Sequence, residues 1–281
     1  MAARARPIWM ERPSVAVVVA KAVILMVVAV VMLFPFVYVL SVSLGGHWDP
    51  LAGNASLVPE HLSFRAYQVI LRGGVVQHSL LVSIGVTLVG TAVDMVMTTI
   101  LAFGLTRTDQ VPGSRIMLFL ALATLLFSPG IIPTYLVVRD LGLLNTYAAL
   151  ILPGMISAFN LVVVRQFFLN IPEDITDAAL IDGANPLQIF RHIVLPLSRA
   201  VLAVVALFYA VALWSDYFSA LLYLNNSAMW PIQMVLEAES QGGLSVGAAA
   251  TVIIATVPIL LVYPFLQRYL SAGVLSGAVE T

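Results

Sequence analysis

Six stretches of the sequence, about 22–44, 79–105, 115–138, 147–165, 199–223 and 247–266, carry no more than two charged residues each. Each is close to the roughly twenty apolar residues needed to cross a bilayer core. Inside lipid a backbone must satisfy its own hydrogen bonds, which only helices and closed barrels achieve. The runs are continuously apolar rather than alternating, so they predict helices. The chain is 61% hydrophobic and 10% charged, with a mean hydropathy of +1.02, whereas soluble domains carry about a quarter charged residues. The expected fold is therefore an all-α membrane protein with six transmembrane helices. The first run follows a basic start, as a signal peptide does. Its apolar core is longer and no small-residue cleavage site follows cleanly, so it is expected to be retained.

An even number of spans puts both ends on one side, and the charges choose the side. With the N-terminus inside, Arg4, Arg6, Arg12, Lys21, Arg107, Arg115, Arg165, Arg191, Arg199 and Arg268 fall at cytoplasmic ends, and only Arg65, Arg72 and Arg139 fall outside. That bias follows the positive-inside rule. The expected organisation is a cytoplasmic segment 1–14, a six-helix domain 15–270 and a cytoplasmic tail 271–281. In the outer loop, Phe64, Tyr67, Ile70 and Leu71 have helical spacing that suits a membrane surface.

Composition also removes classes. The net charge of −1 gives no nucleic-acid footprint. The chain has no cysteine, so thiolate chemistry and cysteine-ligated metals are out. Lys21 is its only lysine, so it contains no phosphate-binding loop of the GxxxxGK[ST] form, and any ATP must be bound by another chain. His47, His61 and His78 lie in the outer loop and His192 in a cytoplasmic one, too dispersed for a zinc site. No catalytic residue and no metal ligand is expected.

One polar island interrupts this apolar chain, at 171–197, placed in the cytoplasm between spans four and five. Pro172 suits the first turn of a helix, and Glu173, Asp174 and Asp177 sit early in it, where the helix dipole favours acids. Ile175, Ala178, Ala179 and Asp182 recur at helical spacing, with small side chains at 178 and 179 that let a partner surface approach. Gly183 can take the left-handed turn that ends a helix. Asn185 then caps a second helix with Pro186 at its first position. Leu187, Phe190, Ile193 and Val194 give that helix an apolar stripe until Pro196 breaks it. Local physics alone leaves two readings: a hairpin packed on its own bundle, or a docking element for a partner.

The run Ile171-Pro172-Glu173, then Asp177-Ala178-Ala179-Leu180-Ile181-Asp182-Gly183-Ala184, then nine residues between Gly183 and Ile193, then Ile193-Val194-Leu195-Pro196-Leu197, resembles the EAA loop of ABC importer permeases. Asp177 stands where that family carries its leading glutamate. Residues 128–168, Leu207-Phe208-Tyr209-Ala210-Val211 and Trp214-Ser215-Asp216-Tyr217-Phe218 are similar to the carbohydrate branch, of maltose-transport type and nearest its subgroup for complex and acidic oligosaccharides. The resemblance implies a type I ABC importer transmembrane domain that pairs with a second homologous permease and two ATP-binding subunits. An extracytoplasmic binding protein would deliver the sugar, and ATP and Mg would sit on the partner subunits. It implies that Glu173, Asp177, Ala178, Ala179, Asp182, Gly183, Ala184 and Pro196 form the coupling loop. The tail resembles a family element that reaches the ATPase interface, with Gly273 and Gly277 in it and Glu280 where a lysine is common.

Polar residues inside spans are costly and tend to face protein or a water path. Asp94, near the middle of span two, reads as a gating contact or as a structural partner of Thr91 or Thr98 on its own helix. Asn160, Trp214, Asp216 and Tyr217 suit a carbohydrate path, since rings stack on sugars and carboxylates accept hydroxyl hydrogen bonds. They equally suit helix–helix bonding and an interfacial aromatic belt. A proton-driven transporter using Asp94 and Asp216 is a second class of function, but such a mechanism does not require the large cytoplasmic hairpin.

Overall fold

The computed structural model describes residues 14–45, 62–107, 111–127, 129–241, 243 and 245–277, with 265–277 as backbone only. The elements in order are α1 (Val15–Leu44), α2 (Arg65–Gly73), α3 (Val75–Thr106), α4 (Ser114–Leu126), α5 (Ile131–Asp140), α6 (Ala148–Ile151), α7 (Ala158–Leu169), α8 (Glu173–Ile181), α9 (Pro186–Ile189), α10 (Leu195–Leu197), α11 (Arg199–Trp214), α12 (Tyr217–Tyr223), α13 (Ile232–Ser240) and α14 (Val246–Gly277). Short 3-10 turns sit at Leu152–Gly154 and Ser227–Met229, and a π-turn at Phe190–Val194. No strand occurs among the described residues.

Among the described residues, three helices are long and apolar enough to cross a membrane: Val15–Leu44, Val75–Thr106 and Val246–Pro264. Two bent pairs raise the number to five: Ala148–Gly154 with Ala158–Leu169 at 53°, and Pro186–Leu197 with Arg199–Trp214 at 83°. The apolar run expected as a single span at 115–138 is two short helices, α4 and α5. Between them Pro129 lacks an N–H and Gly130 takes φ +80°, so the first helix cannot continue. The run at 199–223 is likewise split, at Ser215 and Asp216.

The chain divides into two compact units, residues 1–68 with 244–253 and residues 69–243 with 254–281. In the first unit, Ser14 caps α1 and the helix is exposed along most of its length, as a lipid-facing helix is. Its end is fastened by Ser43, whose hydroxyl lies 2.7 Å from the Tyr67 hydroxyl.

In the second unit α3 is the mast, packed most extensively against α11 and α7. Lipid supplies no hydrophobic drive between helices, so close approach relies on small residues and hydrogen bonds. Gly90 supplies the first: a Cβ there would stand 2.6 Å from Leu213 Cδ1 and 3.2 Å from Ile151 Cγ1. Ser83 supplies the second, its buried hydroxyl accepting the Ile232 N–H at 2.8 Å. Asn145 takes φ +58° and ties its loop to α12, donating its N–H to the Tyr223 carbonyl and accepting the Asn225 N–H at 2.7 Å.

Candidate functional site: the elbow and the cavity

The island folds as a helix, a glycine turn and a second helix. Pro172 is the N-cap of α8 rather than a residue of its first turn, with Glu173 and Asp174 following at the positive end of the helix dipole. The helix ends at Asp182 because Gly183 takes φ +82°. The Ala184 N–H then bonds the Ala179 carbonyl at 2.9 Å and the Gly183 N–H bonds the Leu180 carbonyl at 3.0 Å. This paired closure satisfies carbonyls that a helix end leaves open. Asn185 begins α9 with a reciprocal cap: its side chain accepts the Gln188 N–H at 2.9 Å, and Gln188 accepts the Asn185 N–H at 2.8 Å.

The second helix widens into the π-turn at Phe190–Val194. Pro196 has no N–H to return to the His192 carbonyl, which favours the wider turn there. The extra residue shifts the buried face. Phe190 and Val194 are buried as the stripe predicts, Ile189 is fully buried where the spacing did not place it, and Leu187 stays 70% exposed. The helix line then turns by 83° into α11.

The expected coupling residues separate into two faces. Ala179 and Ala184 are half-buried and pack on the chain's own core with Ile171, Ile193 and Leu195. Pro196 is half-buried. Glu173, Asp177, Ala178, Asp182 and Gly183 are exposed. Ile181, at 87% exposed, and Leu187 flank the Gly183 turn as bare aliphatic groups. Behind this tip, Phe190 packs on Phe103 of α3 with ring centroids 5.0 Å apart, and the Arg107 guanidinium lies 4.8 Å over the same Phe103 ring. A cleft of about 330 Å³ opens there, with Thr106, Arg107, Glu173 and Asp177 on its walls.

The second feature lies at the other end of α7. The backbone of 152–157 leaves the α-helical path, and Ser157 restarts it as the N-cap of α7. A cavity of about 410 Å³ opens beside this break, lined by Gly154, Ser157, Phe159, Asn160, Phe208, Tyr209 and Ala212. Phe159 and Phe208 face each other with centroids 6.3 Å apart. Asn160 is 5% exposed. The Tyr209 hydroxyl accepts the Ser157 N–H at 3.0 Å and shares a 2.6 Å hydrogen bond with Thr98.

Of the four side chains expected on a sugar path, Asn160 alone lines this cavity. Trp214 is buried with Val76, Ile232 and Val235. Asp216 caps α12 by accepting the Ser219 N–H at 3.1 Å, and Tyr217 packs edge-on to Phe218. Phe159, Phe208 and Tyr209 were missed as site residues. Their signal was present in two aromatic–polar neighbours, Phe159-Asn160 and Phe208-Tyr209, on different spans. Asp94 is 1% exposed, and the hydroxyl of its own helix expected to satisfy it does not. Thr98 bonds Tyr209 instead, and the Thr91 hydroxyl and one Asp94 oxygen have no partner among the described residues. Gly273 and Gly277 fall in the last turns of α14, and Glu280 lies outside the described residues.

The sequence profile described as "Binding-protein-dependent transport system inner membrane component" matches residues 8–276. The chain belongs to this family. As one of these permeases it is a transport component of the bacterial inner membrane. It is 42% identical over 273 residues to the polygalacturonan/rhamnogalacturonan transport system permease protein YtcP of Bacillus subtilis, covering 91% of this chain and 95% of that one. It is 30% identical to the trehalose transport system permease protein SugB of Mycobacterium tuberculosis, covering 88% and 92%. A solved structure, that of a bacterial ABC transporter involved in the import of the acidic polysaccharide alginate, matches with a TM-score of 0.83. Identity is 27%, with 94% of this chain and 99% of that chain covered. The permease role expected from the EAA-like loop is therefore established, and with it membership in ABC transport systems.

Proposed function

We propose that this permease is one half of the pore of an ATP-driven importer of acidic oligosaccharides. The observation that carries the reading is the elbow tip, where Ile181 and Leu187 stand bare on either side of a rigid glycine turn. Aliphatic groups that exposed at the watery end of a membrane helix are a docking face. In this reading the face seats in one of two ATP-binding subunits, which hold ATP and Mg. Glu173, Asp177, Ala178, Asp182 and Gly183 face that partner, while Ala179, Ala184 and Pro196 hold the elbow to its own bundle. The tail at Gly273 and Gly277 reaches toward the same subunits. A second, homologous permease completes the pore, and an extracytoplasmic binding protein delivers the sugar.

The topology that goes with this has six spans and cytoplasmic ends, with α4 and α5 together making one crossing. ATP binding draws the two elbows together and opens the pore outward, and hydrolysis returns it inward. The elbow transmits this motion because it is bonded within itself and braced on α3 through Phe190 and Phe103.

Sugar passes the cavity at the head of α7. Phe159 and Phe208 offer faces for pyranose rings, and Asn160 offers an amide to ring hydroxyls. Trp214, Asp216 and Tyr217 line no part of this cavity and serve packing and helix capping in this reading. The similarity to a polygalacturonan/rhamnogalacturonan permease and to an alginate importer supports a uronate-containing oligomer. Among the described residues the cavity has no basic side chain on its walls, so in this reading the carboxylates are met by the second permease.

The test is uptake of galacturonate oligomers by proteoliposomes carrying the permease pair, the ATPase pair and the loaded binding protein. Uptake should need ATP, and neutral oligosaccharides should not compete. Uptake by the lone chain along a proton gradient would overturn the reading. Because the chain has no cysteine, Ala178→Cys also tests topology. A membrane-impermeant maleimide should label it in inside-out vesicles from cells lacking the ATP-binding subunits, and not in intact cells.

A further inference from the structure

The geometry points to Tyr209 as the positioning residue that reports occupancy of the cavity to the elbow, an inference that rests on the sugar path proposed above. Among the described residues, Tyr209 is the cavity side chain that also joins three helices. Its ring lines the cavity, yet its hydroxyl is spent on protein: it accepts the Ser157 N–H at the head of α7 and bonds Thr98 on α3. The group is buried, with Thr98 at 0% and Tyr209 at 4% exposed. A backbone N–H at a broken helix start has no partner within its own helix. The hydroxyl therefore sets where α7 begins relative to α3 and α11.

From that point α7 is a straight rod of 12 residues, about 18 Å long at the rise of an α-helix. It ends three residues before α8. Midway, Arg165 donates its Nε–H to the Leu105 carbonyl of α3 at 3.0 Å. The rod is thus held at the cavity end by Tyr209, tethered near its middle by Arg165, and continued into the elbow at its far end. A sugar hydroxyl entering beside Asn160 competes with Tyr209 for the Ser157 N–H. Losing that bond frees the head of α7 to tilt about the Arg165 tether, and the opposite end moves the elbow.

The experiment measures ATPase activity of the complete reconstituted importer, with and without binding protein loaded with galacturonate oligomers. In Tyr209→Phe the ring stays and the hydroxyl goes. Activity without binding protein should rise. The stimulation ratio should fall by about fivefold, the effect of one net hydrogen bond. The apparent KM for the sugar should fall, because its competitor for the Ser157 N–H is gone. Thr98→Val should act in the same direction, and the double variant should be no worse than Tyr209→Phe. A wild-type stimulation ratio in Tyr209→Phe overturns the inference, as does an equal loss of basal and stimulated activity or simple additivity with Thr98→Val. Asn160→Ala separates this from the reading beneath it. If Asn160→Ala leaves sugar KM and competition unchanged, the sugar path itself is wrong. If it shifts them while Tyr209→Phe keeps its ratio, only the role of Tyr209 fails.

Discussion

The elbow and the cavity lie at opposite ends of α7 and are built in opposite ways. The elbow is bonded to itself: its glycine turn and reciprocal cap join residues no more than five apart. The cavity is bonded across the bundle: the Tyr209 hydroxyl reaches a side chain 111 residues away and a backbone N–H 52 residues away. A locally bonded element keeps its shape when its neighbours move. A cavity assembled from three helices changes shape when any of them slides. The alternating access proposed above needs both, a stiff lever where the ATPase would dock and an adjustable lining where the sugar would pass.

The hardest blow to the lever is Gly183→Val. A β-branched residue at φ +82° carries about 1–2 kcal/mol of backbone strain and undoes the paired closure on Ala179 and Leu180. We expect co-purification with the ATPase and ATP-driven uptake to be lost, while the complex with the second permease survives. Gly183→Ala should be far milder. Next comes the tip. Fully burying a large aliphatic side chain is worth about 1.5–3 kcal/mol, so Ile181→Asp or Leu187→Asp should each weaken ATPase association by about tenfold or more. Neither should alter the thermal midpoint of the chain, because both side chains are exposed. A loss of stability in either variant would mean that the tip packs on its own bundle.

The same contrast explains what could be read from sequence. The elbow was legible because its determinants are adjacent: Pro172, Gly183, Asn185 and Pro186 act on their neighbours. The π-turn was not, so the burial of Ile189 was missed by one residue. The cavity was half legible. Asn160 was found as a polar residue in a span, but its aromatic walls come from α7 and α11 together, and nothing in either run alone reports that Phe159 faces Phe208. Trp214 and Asp216 looked like sugar ligands because their types suit sugars, and local demands have taken both, one as core and one as a helix cap. The run at 115–138 had the composition of one span, and Pro129-Gly130 was the sign that it is two helices.

A smaller effect separates the ends again. At Gly90, α3 meets Ile151 of α6 and Leu213 of α11, the chain neighbour of Ala212 in the cavity wall. Gly90→Ala asks the end of Leu213 to swing aside and Ile151 to give slightly, for about 1 kcal/mol. Gly90→Val adds a branch against the same two side chains, for about 1–3 kcal/mol. Sugar KM should rise in the order wild type, Ala, Val, with ATPase co-purification unchanged. A valine variant that loses its ATPase would show that the two ends are not separable.

The smallest expected effect is at Asp94, one turn along α3 from Thr98. A buried polar atom without a partner costs about 1–3 kcal/mol, and one Asp94 oxygen is in that position among the described residues. Asp94→Val removes the orphan and keeps an apolar volume, so the thermal midpoint of the detergent-solubilised importer should rise by a few degrees. Native chains keep such a group where the stability it forfeits serves a moving part. If the midpoint instead falls, the Asp94 carboxyl, 1% exposed, is holding its own helices together. The site where the helices adjust would then be built, as the elbow is, from this chain alone.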